Sequence, residues 1–344
     1  MITVTRVTEP GLLWDRFVDR NPRATVGHLS AWGRIIAAAY GHPTFHLVAE
    51  EKGEPVGLLP VVLVRSRLFG RRLVSMPFLD YGGVLAEPGR GVEPLLLDAA
   101  LRLGRDLRAS TLGLRQFHPE PLPYAPAEGR VTMLLPLTSE EEVWRALPAE
   151  RRNRIRKGAR QGLTATWAGA DGLDEFYEVF AGNMRDLGSP VHSRRFFTAM
   201  LEGLPDVART LLVRDAGGRA VGAAVCLFFR DTVIVPWVSS RRDAFALCPN
   251  FVLYWEAIRR GCRERYRMLD LGRSFRSAGT FEFKRQWGAH PHPLPWLFVD
   301  VVPGARPPVD RDNGRYAALV AAWKRLPVPV ANALGPWVRG QVPN

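Results

Sequence analysis

Leu47-Val48-Ala49-Glu50-Glu51-Lys52-Gly53-Glu54-Pro55-Val56-Gly57 reads as a strand, a tight polar turn and a second strand. At a constant offset of 165 residues (212 minus 47, 222 minus 57), Leu212-Val213-Arg214-Asp215-Ala216-Gly217-Gly218-Arg219-Ala220-Val221-Gly222 reads the same way without a gap. In both, glycine sits in a polar turn between two apolar runs, the local signature of a hairpin. Each second strand runs on into an apolar stretch, Leu58 to Val64 and Ala223 to Phe229. Such a pair, far apart in one chain, points to duplicated domains, because a solenoid would repeat every ~20–50 residues.

The elements after the two hairpins also correspond. Leu96, Leu97, Ala100, Leu101 and Leu103 space as one helix; Val252, Leu253, Trp255, Ala257 and Ile258 space as another. A short strand comes next in both halves, Thr111 to Arg115 and Met268 to Gly272. Strand, hairpin, strand, helix, strand is the order of an acetyltransferase unit. The expected fold class is therefore α/β (α+β): two tandem acetyltransferase-like (GNAT) domains, with mixed sheets flanked by helices. The expected division is 1–138 for the first domain, 139–303 for the second with the active cleft, and 304–344 for a helical tail. Ser139 before Glu140, Glu141 and Glu142 marks the helix start that opens the second domain.

Composition sets the outer bounds. Hydrophobic residues are 47% and charged residues 24% of 344, the balance of a globular protein of about two domains. The longest apolar runs fall short of the ~20 residues that a membrane helix needs. Arg6 and Glu9 stand where a secretory signal would be apolar, so a cytoplasmic location is expected. Cys226, Cys248 and Cys262 show no ligand or redox spacing and read as reduced structural thiols, and no metal site is expected. The 47 basic and 34 acidic residues leave a net charge of +13, which suits a polyanionic partner. Only four of the basic residues are lysine, so the same number fits an arginine-biased genome. No dinucleotide fingerprint, phosphate loop, zinc motif or nucleophile elbow stands in its proper context.

Four blocks carry a resemblance: Asn183-Met184-Arg185-Asp186-Leu187-Gly188-Ser189-Pro190-Val191, Pro249-Asn250-Phe251 with Tyr254-Trp255, Leu271-Gly272-Arg273-Ser274, and Gly279-Thr280-Phe281-Glu282-Phe283-Lys284-Arg285-Gln286-Trp287-Gly288-Ala289. Together they resemble the FemAB family, and most of all its branch associated with the PEP-CTERM/exosortase system. Ser75-Met76-Pro77-Phe78-Leu79-Asp80-Tyr81-Gly82-Gly83-Val84 fits the same branch. The resemblance spans about residues 10 to 300. It implies transfer of an acyl or aminoacyl group to an amine of a cell-envelope or exopolysaccharide-linked acceptor. The donor it implies is aminoacyl-tRNA or acyl-CoA, with no permanently bound cofactor. Implied partners are an envelope-precursor or small-molecule acceptor, tRNA and a peripheral inner-membrane contact, with no DNA. Two rival readings stand beside it: an acyl-CoA-dependent N-acetyltransferase, and a non-catalytic scaffold of a polysaccharide or protein-sorting system.

Most candidate site residues lie in these blocks. Phe283-Lys284-Arg285-Gln286-Trp287-Gly288 matches the family's Phe-Lys-x-x-aromatic-Gly element, which implies that Lys284 stabilises charge on the reacting acyl group. An ammonium beside a developing oxyanion would contribute roughly 3–4 kcal/mol if it resembles one oxyanion-hole donor. Arg185 ends a helical pattern, where its guanidinium either forks onto an acceptor anion or pairs with Asp186 or Glu178. Arg273 follows the last strand of the second copy, where α/β sites concentrate. Asn250 and Tyr254 open the helix behind Pro249, as substrate contacts or as cap and core. An ordinary acyl-CoA loop, Arg/Gln-x-x-Gly-x-Gly/Ala, is missing there, and its only letter match, at Arg219, lies on a strand. Arg152, Arg156 and Arg160 share one face of a basic helix and suit a tRNA stem or a pyrophosphate, or simply solvent. Asp80 and Tyr81, before Gly82-Gly83, face the acceptor or form a plain turn. His192 is a further candidate base.

Overall fold

A computed structural model describes residues 1–67, 69–304 and 314–342. Its strands are β1 (Ile2–Val7), β2 (Thr44–Glu51), β3 (Glu54–Ser66), β4 (Gly70–Val74), β5 (Leu85–Ala86), β6 (Thr111–Leu114), β7 (Arg130–Pro136), β8 (Thr164–Ala168), β9 (Ala208–Arg214), β10 (Ala220–Phe229), β11 (Thr232–Ser240), β12 (Met268–Phe275), β13 (His290–Pro293) and β14 (Leu297–Asp300). Its helices are α1 (Leu12–Arg20), α2 (Ala31–Tyr40), α3 (Glu93–Asp106), α4 (Glu140–Ala146), α5 (Ala149–Arg160), α6 (Leu173–Leu187), α7 (Arg194–Gly203), α8 (Pro249–Arg263), α9 (Gly279–Arg285), α10 (Gly314–Lys324) and α11 (Val328–Gln341).

The duplication is visible strand by strand. In the first sheet β2, β3, β4 and β6 pair antiparallel, antiparallel and parallel; in the second, β9, β10, β11 and β12 repeat that series. Both repeated hairpins form where expected, β2–β3 and β9–β10. Each slips its register beside the turn, between Ala49 and Glu50 in one and between Ala220 and Gly222 in the other. The long apolar run of β3 stays buried from Pro55 to Val64, where α1 and α3 pack against it. The fold is thus two acetyltransferase-like domains, α/β, with mixed sheets flanked by helices.

The compact units do not follow the sequence order of the copies. Among the described residues, one unit gathers 1–130, 293–304 and 337–342, and the other 131–292 and 314–336. β7, which by position would close the first copy, lies in the second sheet between β12 and β13. β14, which follows the second copy, pairs antiparallel with β6 in the first sheet. The compact units thus meet at Arg130/Val131, eight residues before the expected boundary at 138/139, and 293–303 of the expected second domain group with the first unit. Of the expected tail 304–344, residues 305–313 and 343–344 lie outside the described residues; 304, α10 and α11 are described.

In the second unit, α8 buries Leu253, Tyr254, Ala257, Ile258 and Gly261, a stripe along one face. Gly261 lets Leu137 pack close, since a Cβ would stand 2.5 Å from Leu137 Cδ1 and push that side chain aside. α4 begins at Ser139, whose hydroxyl accepts from the Glu142 amide while the Glu142 carboxylate reaches back to the Ser139 amide. α6 packs on β10 and β11. There Phe176, Phe180, Phe197 and Trp237 meet mostly edge to face with centroids 4.8–5.4 Å apart. Each such fully buried side chain contributes about 1.5–3 kcal/mol.

Candidate active site

β11 and β12 pair in parallel at Thr232–Met268, Val233–Leu269 and Ile234–Asp270 only. β11 continues to Ser240 and β12 to Phe275, so beyond Asp270 the two strands part. The cause lies in β12. Asp270, 1% exposed, accepts the Gly272 amide at 2.8 Å, a side-chain turn over two residues that bends the strand just past its last paired position. Gly272 itself has φ +80°, a value that side chains disfavour. From the next strand, β7, the Thr132 hydroxyl donates to the same Asp270 oxygen.

Parting strands leave backbone groups in need of partners. Lys284, on α9 and 9% exposed, supplies one: its Nζ donates to Gly272 O at 2.9 Å and to Arg273 O at 3.0 Å. The lysine is fixed, not mobile as its type alone would suggest. On the β11 side the wall is polar. Ser240 Oγ donates to Asn250 Oδ1 at 2.6 Å, and Asn183 Nδ2 donates to Ser239 Oγ at 2.9 Å. Ser274 is buried, and among the described residues its hydroxyl has no hydrogen-bond partner. Sequence reasoning passed over Ser239 and Ser240, and it quoted Asn183 and Ser274 within the resemblance blocks without giving either a role; a serine pair ending an apolar strand was the available signal.

The connection from β11 to α8 is not a glycine-rich loop. It holds a 3-10 turn, Arg242–Leu247, then Cys248 at φ +66° and Pro249, which has no amide to offer. Asn250 sits in the first helical turn, half-buried, and faces Ser240.

Lys284 thus reaches the backbone carbonyl of Arg273 at the parted strands, and Asn250 is bonded to Ser240 at the end of β11. The other expected site residues make contacts of their own. Tyr254 is a core residue, its ring 5.6 Å from both Phe283 and Trp287, and burial pushes its phenol well above the ordinary value. Arg152 caps α4: its Nη1 donates to the carbonyls of Leu147 at 2.7 Å and Arg145 at 3.0 Å. Arg156 lies exposed on α5, its guanidinium 5.3 Å from the Trp144 ring centroid. Arg185 pairs with Asp186 at 2.8 Å and donates to Leu326 O at 3.1 Å, the ion-pair alternative for that residue. Asp80 and Tyr81 belong to the first unit. There the Asp80 carbonyl accepts Trp296 Nε1 at 2.9 Å, and the buried Tyr81 ring meets Phe117 edge-on. His192 is buried, stacked 4.9 Å from Phe196.

Cys226 is buried, and burial pushes its thiol up to about 12. Among the described residues no group of three or more His, Cys, Asp or Glu is placed to hold a metal. No described helix is long and apolar enough to cross a membrane.

Comparison with known proteins agrees with this fold. Residues 149–285 match the family model described as an acetyltransferase (GNAT) domain. The structure is similar to that of FemX, with a TM-score of 0.68 over 87% of this chain and 97% of that one at 13% identity. It is also similar to a tandem GNAT protein from the clavulanic acid biosynthesis pathway, with a TM-score of 0.56, 88% and 100% covered, and 13% identity. L-PGS from Bacillus licheniformis gives a TM-score of 0.58, 98% and 98% covered, and 12% identity. A search of curated proteins finds no sequence match. The family match makes the second copy an acetyltransferase-type domain and the chain an acyltransferase.

Proposed function

We propose that this protein transfers an aminoacyl or acyl group from an activated donor to the amine of a cell-envelope or exopolysaccharide-linked acceptor, in the manner of the FemAB proteins and their PEP-CTERM-associated branch. The observation that carries the reading is the opening between β11 and β12, with the Lys284 ammonium fixed on its β12 side. The donor acyl group enters that opening and the acceptor amine attacks its carbonyl carbon directly; the new C–N bond forms as the ester or thioester bond to the donor breaks, and the amine proton leaves with the released tRNA hydroxyl or CoA thiol. Lys284 holds a positive charge near the developing oxyanion without having to reorganise, which is the condition for a large electrostatic effect. Arg273 and Asn250 flank the same opening and bind substrate, while proximity supplies much of the remaining rate.

One feature favours an aminoacyl donor such as aminoacyl-tRNA over acyl-CoA. The β11–α8 connection carries a proline and a 3-10 turn where CoA users present free amides. The family match, to a domain named for acetyl transfer, favours the second reading, acyl-CoA-dependent N-acylation. Thermal shift against aminoacyl-tRNA and against acyl-CoA separates them, since only the true donor raises the melting temperature with dose. A response to neither ends the donor assignment, and unchanged turnover in Lys284→Ala ends the mechanism.

A further inference from the structure

Away from the parted strands, α5 holds a buried cation. Arg151 is 5% exposed, yet among the described residues neither a hydrogen bond nor an ion pair reaches its guanidinium. Three aromatic rings surround it instead: its Cζ lies 4.9 Å from the Phe283 centroid, 5.1 Å from Phe251 and 6.0 Å from Trp287. Burial lowers its affinity for its proton, against the field of Glu150. The carboxylates whose fields reach it are already engaged. Glu150 pairs with Arg154 at 3.7 Å, and Glu282 holds Arg285 through both oxygens at 2.8 Å.

Rings satisfy the faces of a guanidinium but not its in-plane N–H donors, and in Arg151 these donors keep an edge of contact with solvent, open to a partner that enters from the rim. Beside it a donor is fully buried and unmatched: Trp287, 1% exposed, has no acceptor among the described residues for its indole Nε1–H. Phe251 and Phe283 are only half-buried, so the rim of the cage reaches solvent. Two adjacent buried groups that donate and cannot accept call for an oxyanion with several acceptor atoms. Phosphate chemistry fits a planar fork two bonds at a time.

We propose that Arg151, caged by Phe251, Phe283 and Trp287, is a phosphate-oxyanion site that binds a phosphate or diphosphate group of a substrate. The site lies on α5, α8 and α9 and goes beyond the proposed transfer, since it stands whether or not Lys284 serves that chemistry. Nothing in the basic face of Arg152, Arg156 and Arg160 is required for it.

The test is calorimetric titration of the full chain with inorganic pyrophosphate, phosphate and acetate. Arg151→Met, which keeps the packing stem, is compared with Arg160→Met, which removes the same charge from an exposed position of the same helix. The expected result is saturable pyrophosphate binding, weakened at least about tenfold by R151M and unchanged by R160M, because a matched fork is worth more than a distant charge. Phosphate binding as tightly as pyrophosphate makes the ligand a single phosphate group; acetate matching both overturns the phosphate assignment. Equal losses in the two variants, or no binding by the parent chain at millimolar pyrophosphate, overturn the site. Should R151M fail to fold, Arg151→Lys keeps the charge and loses the fork. A several-fold weaker complex then supports the site, and undiminished affinity overturns it.

Discussion

Lys284 Nζ stands 2.9 Å from the carbonyl oxygen of Gly272, the residue at which β12 bends away from β11. One ammonium thereby closes the hydrogen-bond deficit that the parting of the strands creates, and it places a fixed charge at the opening. Structure and proposed chemistry make separate demands on it. Replacement by methionine keeps the stem and strands the carbonyls of Gly272 and Arg273. We expect a stability loss of roughly 2–6 kcal/mol, from ~1–3 kcal/mol for each of the two unmatched groups. Turnover should fall about 10²–10³-fold in protein that remains folded. Melting curves and single-turnover rates on the same preparation check both, and a normal rate in the folded variant removes Lys284 from the chemistry.

Glu120 gives the first unit a pH dependence of predictable sign. Its carboxyl is pushed from 4.5 up to about 7, chiefly by burial and against the pull of Arg23, with Glu93 adding to the rise. The folded state therefore holds the proton more tightly than the unfolded chain. This contribution to stability is complete below about pH 4.5 and is lost as pH rises through about 7. Glu120→Gln cannot titrate. The drop in melting temperature between pH 5 and pH 8 should be smaller in E120Q than in the parent, and equal drops would remove Glu120 as its source.

The contrast between Arg151 and Arg152 shows how much of the site was legible in sequence. Hairpin spacing, helix stripes and the Ser139 cap were all local patterns, and each element formed where its pattern lay. The division of the chain was not legible, because β7 and β14 join sheets by long-range pairing that periodicity along the chain does not encode. Within the basic run, spacing by four grouped Arg152, Arg156 and Arg160, whereas Arg151, Ile155 and Gly158 are the residues that turn inward. An arginine is taken for solvent-exposed by default, so its apolar partners, Phe251 and Phe283, were the only clue, and they lie about 100 residues or more away. An aspartate on a strand readily bonds its own loop, and at Asp270 that bond is what bends the strand.

Arg152 should behave as a structural residue. Its Nη1 lies among the carbonyls at the C-terminal end of α4, where a cation both fills acceptors and meets the negative end of the helix. Arg152→Met should lower stability by about 1–2 kcal/mol, the net worth of charge-assisted hydrogen bonds. Pyrophosphate affinity should stay within twofold of the parent. A tenfold loss in titration would return Arg152 to the binding residues.

Two glycine substitutions should move stability in opposite directions. A Cβ on Gly27 would lie 2.2 Å from the backbone oxygen of Tyr81 and 2.9 Å from Gly82 Cα. Those atoms have little room to yield, because the Gly82 amide is bonded to Arg115 O at 3.0 Å. Gly27→Ala should therefore cost at least the ~1–3 kcal/mol of ordinary overpacking. Gly182 is interior to α6 and has nothing within 4 Å of its built Cβ. There alanine removes backbone freedom from the unfolded chain and should stabilise by roughly 0.5–1 kcal/mol. Urea titrations of both variants check the pair. A tolerated G27A would mean that the Tyr81 loop moves readily, and its packing against Gly27 would then have no part in fixing that loop.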